Sequence, residues 1–505
     1  MVGRSAKAHG WSSLSWAGGW SLSLRHGLWV GAGVLLGALA WGGDASASGL
    51  SAARFGGEHG HPTTDNPTAI YYNPAGIALS RGTRIMVDGT MVLRWAGYER
   101  PSSAVTSKES LALAPGANDG KATLFNTIAA PFAGMSTDFG SKRLVVGGAW
   151  YYPFGGSASW DRNPAYAGDK SFPGAVDGVQ RWYTIDGALR SMYLTGAVAL
   201  RFPEIGLSVG ATGSAIRSNV HTIRARNADG TDDLVFGDSI EAATLKEGRS
   251  LVDVDGWQGG FSVGAIWNMQ DLLWVGASYT SQPNVVGGMR LRGTLTNVLA
   301  LGDPLTQQVE LTQTLPEIAR LGVRVRPTPR LEVRVFADYS RWSVFNKQCL
   351  LDTDDPERNC SFSGEDEAFT DPEAYGAEGD HSGVVQHLPR FWRDSGGVRV
   401  GASYWFLPGL EAYLGGGYDS SAVPVQTLDS ALMDMDKGSV SVGVRWQIIR
   451  QVALSLTSTQ IIFRKVDTAG KSLLGAWQQP TRQAGADGTY SQFFSVLNLY
   501  ADLRF

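Results

Sequence analysis

Two pentapeptides, Gly206-Leu207-Ser208-Val209-Gly210 and Gly260-Phe261-Ser262-Val263-Gly264, have the G-x-S-x-G spacing that presents a nucleophilic serine on a sharp strand-to-helix turn. That chemistry needs a following helix and a histidine within hydrogen-bond reach of the serine. Both pentapeptides instead lie inside long alternating segments, and none of the 7 histidines falls clearly on a strand beside a serine. No catalytic residues are expected, and a lipid hydrolase is set aside. His59 and His61 flank Gly60, but two imidazoles are too few for a defined metal site. The acidic stretch 352–380 lacks the calcium-loop pattern and reads as a solvated loop. Cys349 and Cys360 lie in polar, acidic surroundings without CxxC spacing, so in an oxidising compartment they can close a small disulfide ring. No metal and no cofactor is expected.

The elements that carry these residues follow from composition and patterning. Charged residues make up only 18% of the 505, glycine is abundant at 64, and the net charge of −4 gives no basic field for nucleic acid. Arg4, Lys7, Arg25 and His26 precede the apolar run from Gly27 to Trp41, too short for a helical span but suited to an export signal. Small-residue cleavage signals follow at Ala38-Leu39-Ala40 and Ala45-Ser46-Ala47, so residues 1–47 are expected to be a signal peptide cut after 40 or 47. Residues 48–83 are rich in Gly, Pro, Asn, Thr and His and read as loop or plug.

From residue 84 to 505 the pattern changes to period two. Leu331, Val333, Val335, Ala337 and Tyr339 alternate with Glu332, Arg334, Phe336 and Asp338; Val398, Val400, Ala402, Tyr404 and Phe406 alternate with Arg399, Gly401, Ser403 and Trp405. Runs of about ten such residues suit tilted strands crossing a bilayer. Strands are predicted at 84–97, 123–138, 142–153, 186–201, 204–219, 252–268, 271–296, 308–326, 330–345, 396–407, 410–420, 438–447, 451–464 and 491–505. The expected fold is all-β: a transmembrane antiparallel barrel of about 14 strands with an N-terminal plug. Short turns near 139–141, 202–203, 269–270, 327–329, 408–409 and 448–450 should face the periplasm. Long loops near 98–122, 154–185, 220–251, 346–395, 421–437 and 465–490 should face outward. Trp95, Trp150 to Tyr152, Trp267, Trp274, Tyr339, Trp342, Tyr404, Trp405 and Tyr418 are expected in aromatic girdles at the headgroups. Arg324, Arg334, Arg399 and Arg445 have lumen parity, where a guanidinium either meets a ligand carboxylate or pairs with lumen acids. An alternating last strand ending in Phe505 resembles the signal read by the barrel assembly machinery.

Further motifs point to a family. Asn73-Pro74-Ala75 within Tyr71-Tyr72-Asn73-Pro74-Ala75-Gly76 is similar to the NPA hatch motif of the FadL/TodX outer-membrane transporters. Ser48-Gly49-Leu50, Arg54-Phe55-Gly56-Gly57-Glu58, Leu315-Pro316-Glu317-Ile318, the stretch from Asp338 to Phe345 and that from Asp419 to Pro424 resemble the family in order. The resemblance implies a fourteen-stranded barrel closed by a hatch at 48–83, with a kink in the third strand opening a side exit. Here that strand runs into Pro153-Phe154-Gly155-Gly156, where pairing should fail or the strand should end. It also implies a monomer in the outer membrane of a Gram-negative bacterium, in contact with lipid and lipopolysaccharide. Its ligand would be a hydrophobic small molecule: a long-chain fatty acid first, an aromatic hydrocarbon as alternative. A general porin, the remaining rival, has no need of such a hatch.

Overall fold

The computed structural model describes residues 54–236, 244–285, 288–299, 302–376 and 381–505. The expected export signal, its two candidate cleavage sites and Ser48-Gly49-Leu50 lie outside the described residues. Fourteen antiparallel strands form the wall. The first seven are β1 (Thr83–Arg100), β2 (Gly120–Thr137), β3 (Leu144–Ser159), β4 (Asp186–Phe202), β5 (Leu207–Arg226), β6 (Gly248–Met269) and β7 (Leu273–Thr280). The second seven are β8 (Ile318–Thr328), β9 (Leu331–Ser340), β10 (Ser395–Leu407), β11 (Leu410–Asp419), β12 (Lys437–Ile449), β13 (Val452–Phe463) and β14 (Thr489–Arg504). Each pairs with its sequence neighbours, and β14 returns to β1 in register from Arg84 opposite Arg504 to Glu99 opposite Thr489. Closure is obligatory, because an open edge in hydrocarbon leaves amides unpaired at several kcal/mol each.

The polarity of the wall is inverted relative to a soluble protein. Leu414, Val440, Val442 and Phe406 are among its most exposed side chains, whereas Arg84, Arg94, Glu332, Arg334 and Asp502 are buried. Charge therefore faces the lumen and hydrocarbon faces outward, as period-two strands in lipid require. Trp95, Trp267, Tyr339, Tyr404 and Tyr418 are exposed on the outer face as expected. Tyr151, Trp274 and Trp342 are not girdle residues: Tyr151 stacks on Tyr193, Trp274 lies under the Arg324 guanidinium, and Trp342 packs on Trp392. Alternation alone cannot tell a lumen aromatic from a lipid-facing one when the phase of a strand shifts.

Two predicted strands are divided. The segment 271–296 is β7 followed by a separate strand, Met289–Val298, and 308–326 is the end of the strand Leu305–Gln313 followed by β8. Pro283 and Pro316 interrupt the runs at those places. With Lys347–Asp352 and Val384–Pro389, these extra strands extend the sheet from the upper half of β6. This makes 281–317 a seventh long connection. The third strand also differs from expectation. It continues past Pro153 to Ser159, with a register shift between Tyr151 and Phe154 opposite β4.

Candidate functional site

The chain preceding β1, from Arg54 to Gly82, lies within the ring. It forms short helical turns at Gly57–His59, Ala69–Tyr72 and Pro74–Leu79, and it bonds to strands around the circumference. Asn73 is fully buried. Its amide Nδ2 donates to Pro62 O, Ala265 O and Ala277 O at 2.9, 3.1 and 3.2 Å, while Oδ1 accepts from Ala75 N. Pro74 opens the next helical turn, where its missing N–H costs no bond. The wall is dented to admit this motif. A Cβ at Gly210 would stand 2.6 Å from Ala75 N, and one at Gly264 would stand 2.1 Å from Asn73 Oδ1. These two glycines close the first and second G-x-S-x-G matches. Ser208 and Ser262 are strand residues, and in each case the chain continues as strand after the serine instead of turning into a helix. The spacing that mimicked a hydrolase is thus a socket for Asn73-Pro74-Ala75.

Further ties hold the segment. His59 Nε2 lies 2.9 Å from Glu411 Oε1 and its Nδ1 bonds Tyr500 OH. Gly56 N donates to Asp88, and Asn498 Nδ2 donates to Arg54 O. His61 Nδ1 bonds Thr63 Oγ1 at 3.0 Å, and no group of three or more metal-ligating side chains occurs among the described residues. The four lumen arginines singled out in the sequence each have an acid. Arg324 and Arg334 approach Glu332, Arg399 joins Asp338 to Asp419, and Arg445 lies between Glu411 and Asp502. Pairing, not an unengaged charge, is the state the geometry displays for all four.

Above the leading segment is an apolar cavity. It holds about 920 Å³ of space, including a part open to solvent, and Leu189, Val220, Val252, Leu311, Leu350 and Leu388 contribute to its walls. Gly156, Ser157 and Ala158 of β3 border it. Beside them the wall is incomplete. β1 and β2 pair along their whole length, but the β2–β3 ladder runs only from Thr137–Val146 to Phe132–Tyr151. Beyond that point Gly120–Pro131 of β2 has no ladder with β3. The extra residue at Tyr152-Pro153 shifts β3 against β4, and proline offers no ladder donor. Arg94 reaches across the gap: its Nη1 donates to Ser157 O at 3.1 Å, and Nη2 is buried with no hydrogen-bond partner. Pro153, Phe154, Gly155 and Gly156 therefore sit within a continuous β3, at the margin of the unpaired wall.

The outer loops roof this cavity. Cys349 and Cys360 are joined by a disulfide in the long β9–β10 connection. His387, in the strand Val384–Pro389, stacks on Phe362 at 3.9 Å and accepts or donates through Nδ1 to Thr481. Burial, with repulsion from Lys347, pushes its imidazole down to about 3, so it is neutral at ordinary pH. Sequence reasoning singled out the NPA motif but not its glycine socket, whose partners lie far away in the chain.

A closed ring with an apolar exterior, a charged lumen and an internal N-terminal segment defines a bacterial outer-membrane barrel of the transporter class. The chain belongs to the outer membrane protein transport protein family (OMPP1/FadL/TodX), which matches residues 42–505. That membership places it among transport channels of the outer membrane and not among enzymes. The fold is shared with a FadL homologue of Pseudomonas aeruginosa (17% identity, 91% of this chain and 98% of that one, TM-score 0.65). It is shared also with the Ralstonia pickettii toluene transporter TbuX (16% identity, 91% and 98%, TM-score 0.57). A third such structure is the Pseudomonas putida toluene transporter TodX (13%, 92% and 99%, TM-score 0.56). No curated relative matches the sequence.

Proposed function

We propose that the protein takes long-chain fatty acids from outside the cell into the apolar cavity and releases them sideways into the membrane between β2 and β3. The observation that carries this reading is the missing upper half of the β2–β3 ladder next to the apolar cavity. A tail entering the cavity gains about 0.8 kcal/mol per buried methylene, so ten methylenes supply about 8 kcal/mol. That is enough for capture and must be weakened for release. Residues 54–82 act as the hatch: they occlude the lumen below the cavity, and a shift of Asn73-Pro74-Ala75 in its socket would alter the cavity floor. The four paired arginines stiffen the wall on this reading and do not receive the ligand.

Deleting Pro153 tests the exit. β3 has two residues, Tyr152 and Pro153, where β4 has only Met192 between its paired positions, so the deletion restores a regular register. Protein in liposomes should then still bind labelled oleate but deliver it to the bilayer at least about tenfold more slowly, the effect of roughly 1.4 kcal/mol on a barrier. Unchanged delivery would place the exit elsewhere. Two structural relatives are described as toluene transporters, so labelled toluene belongs in the same assay as the second substrate.

A further inference from the structure

On the outer face of the wall, Trp257 and Trp267 are both exposed and stand ten positions apart on β6. For a strand tilted by about 40° that separation is a rise of about 25 Å, the height of the hydrocarbon band between two aromatic girdles. Between them the outward residues of β6 are Gly259, Phe261, Val263 and Ala265, and those opposite on β5 are Val209, Ala211, Gly213 and Ala215. None is charged. Trp267 pairs with Leu207 beside the short turn between β4 and β5, so Trp257 marks the headgroup level of the outer leaflet.

Cationic side chains begin at that level. Arg217 of β5 lies directly opposite Trp257, with its guanidinium 6.0 Å from the ring centroid. On the other flank, Arg292 of the strand Met289–Val298 faces Asp255 of β6, and two residues away Arg290 comes alongside Gly256 and Trp257. The side chains of Arg217, Arg290 and Arg292 are 53%, 63% and 70% exposed. Their acids leave them open. Asp255 accepts from Arg217 at 2.7 Å, and the buried Glu310 is shared by Arg292 at 2.8 Å and Arg290 at 3.7 Å. One row further out, Asp253 stands 3.8 Å from His221. Neighbouring strands are about 4.8 Å apart, so Arg217 and Arg290, with one strand between them, flank the tryptophan about 10 Å from each other.

We propose that this face is a docking surface for lipid A, the phosphorylated glycolipid of the outer leaflet, with Arg217, Arg290 and Arg292 on its phosphates and Trp257 against its sugar backbone. A planar guanidinium binds phosphate oxygens in pairs, and it neutralises headgroups that otherwise need divalent cations between them. Two arginines about 10 Å apart suit a disaccharide phosphorylated at both ends, whereas a phospholipid offers a single phosphate. Below them Gly213 and Gly259 place no side chain on the outer face, which leaves room for acyl chains beside Ala215. This surface is separate from the lumen and from whatever the lumen carries.

Native mass spectrometry of the full-length protein in detergent micelles, with a chelator present, tests the proposal against three lipids: lipid A with both phosphates, lipid A stripped of them, and phosphatidylglycerol. The unaltered protein should bind the doubly phosphorylated lipid at least about tenfold more tightly than either of the others. Combining Arg217→Gln with Arg290→Gln should remove about tenfold or more of that affinity, because each cation near an anionic headgroup layer is worth several-fold. Lysine at both positions should restore part of it. Arg464→Gln, which alters an exposed arginine just beyond β13, should leave it unchanged. Heat-modifiable migration in gels verifies that every variant barrel is folded. Equal binding of all three lipids, or full affinity in the double Gln variant, overturns the proposal. Phosphatidylglycerol bound as tightly as lipid A overturns it too, since the surface would then be one for any anionic lipid.

Discussion

Asn73 uses both ends of its amide, one to shape its own turn through Ala75 and the other to hold Pro62, Ala265 and Ala277. Asn73→Ala would leave those carbonyls short of a donor at roughly 1–3 kcal/mol. We expect it to increase ion conductance in planar bilayers, because the segment loses its grip on β6 and β7. Gly264→Val should act in the same direction, since a Cβ has no room beside Asn73 Oδ1. Conductance unchanged in both variants would separate the motif from closure. His387 gives a pH effect whose sign can be worked out. Its folded value, about 3, is below the ordinary 6.5, so stability is complete above pH 6.5 and is lost as pH falls toward 3. Each pH unit in that window costs up to about 1.4 kcal/mol. Amide protection factors in the strand Val384–Pro389, with the intrinsic pH dependence of exchange divided out, should fall between pH 7 and pH 5, and His387→Phe should flatten that change.

At the scale of elements, the outer strands depend on a covalent tie. Cys349 belongs to the strand Lys347–Asp352 and Cys360 to the loop after it. Cys349→Ser should remove about 3 kcal/mol of loop-closure stabilisation from this region. Limited proteolysis should then cut the 346–395 connection faster while the wall stays intact; an unchanged cleavage rate would mean that packing alone holds it. The wall strands were legible in the sequence because lipid imposes period two with one sign on each face, as in Leu331 to Asp338. The outer strands obey the same alternation without lipid, which is why β7 merged with Met289–Val298 and Leu305–Gln313 merged with β8. β3 hid its continuation for the opposite reason: Pro153 reads as an end, although a one-residue bulge lets the strand resume with shifted phase. The candidate site was only partly visible. Asn73-Pro74-Ala75 is contiguous, whereas Gly210 and Gly264 acquire meaning only when the fold brings the motif against them. The arginines nominated by parity have acids nearby in space, a pairing that emerges only after folding.

For the whole molecule, the chain's own leading part lies inside the ring, and on the proposed transport reading it stops the lumen. Removing residues 54–80 should convert the protein into a passage for small sugars in liposome-swelling assays, with the ring still resistant to unfolding in detergent. Impermeability after that deletion would require a second barrier in the outer loops. The end of the chain matters as much as its beginning: Phe505 and Thr83 exchange backbone hydrogen bonds at the seam. Deleting Phe505 should lower the amount of assembled protein in the membrane, measured by heat-modifiable migration, without changing the ligand affinity of what does assemble.

Two of the tethers on the first described residues come from β14, Asn498 to Arg54 and Tyr500 to His59, and a third runs through β1, where Arg84 bonds both Asp502 and Asp65. The segment ahead of the first strand is thus fastened by the strand that closes the ring. A cylinder still lacking its final stave would be unzipped, with its cork held by the ties to other strands such as β6, β7 and β8, so one stretch both seals the seam and adds further fastenings of the bore.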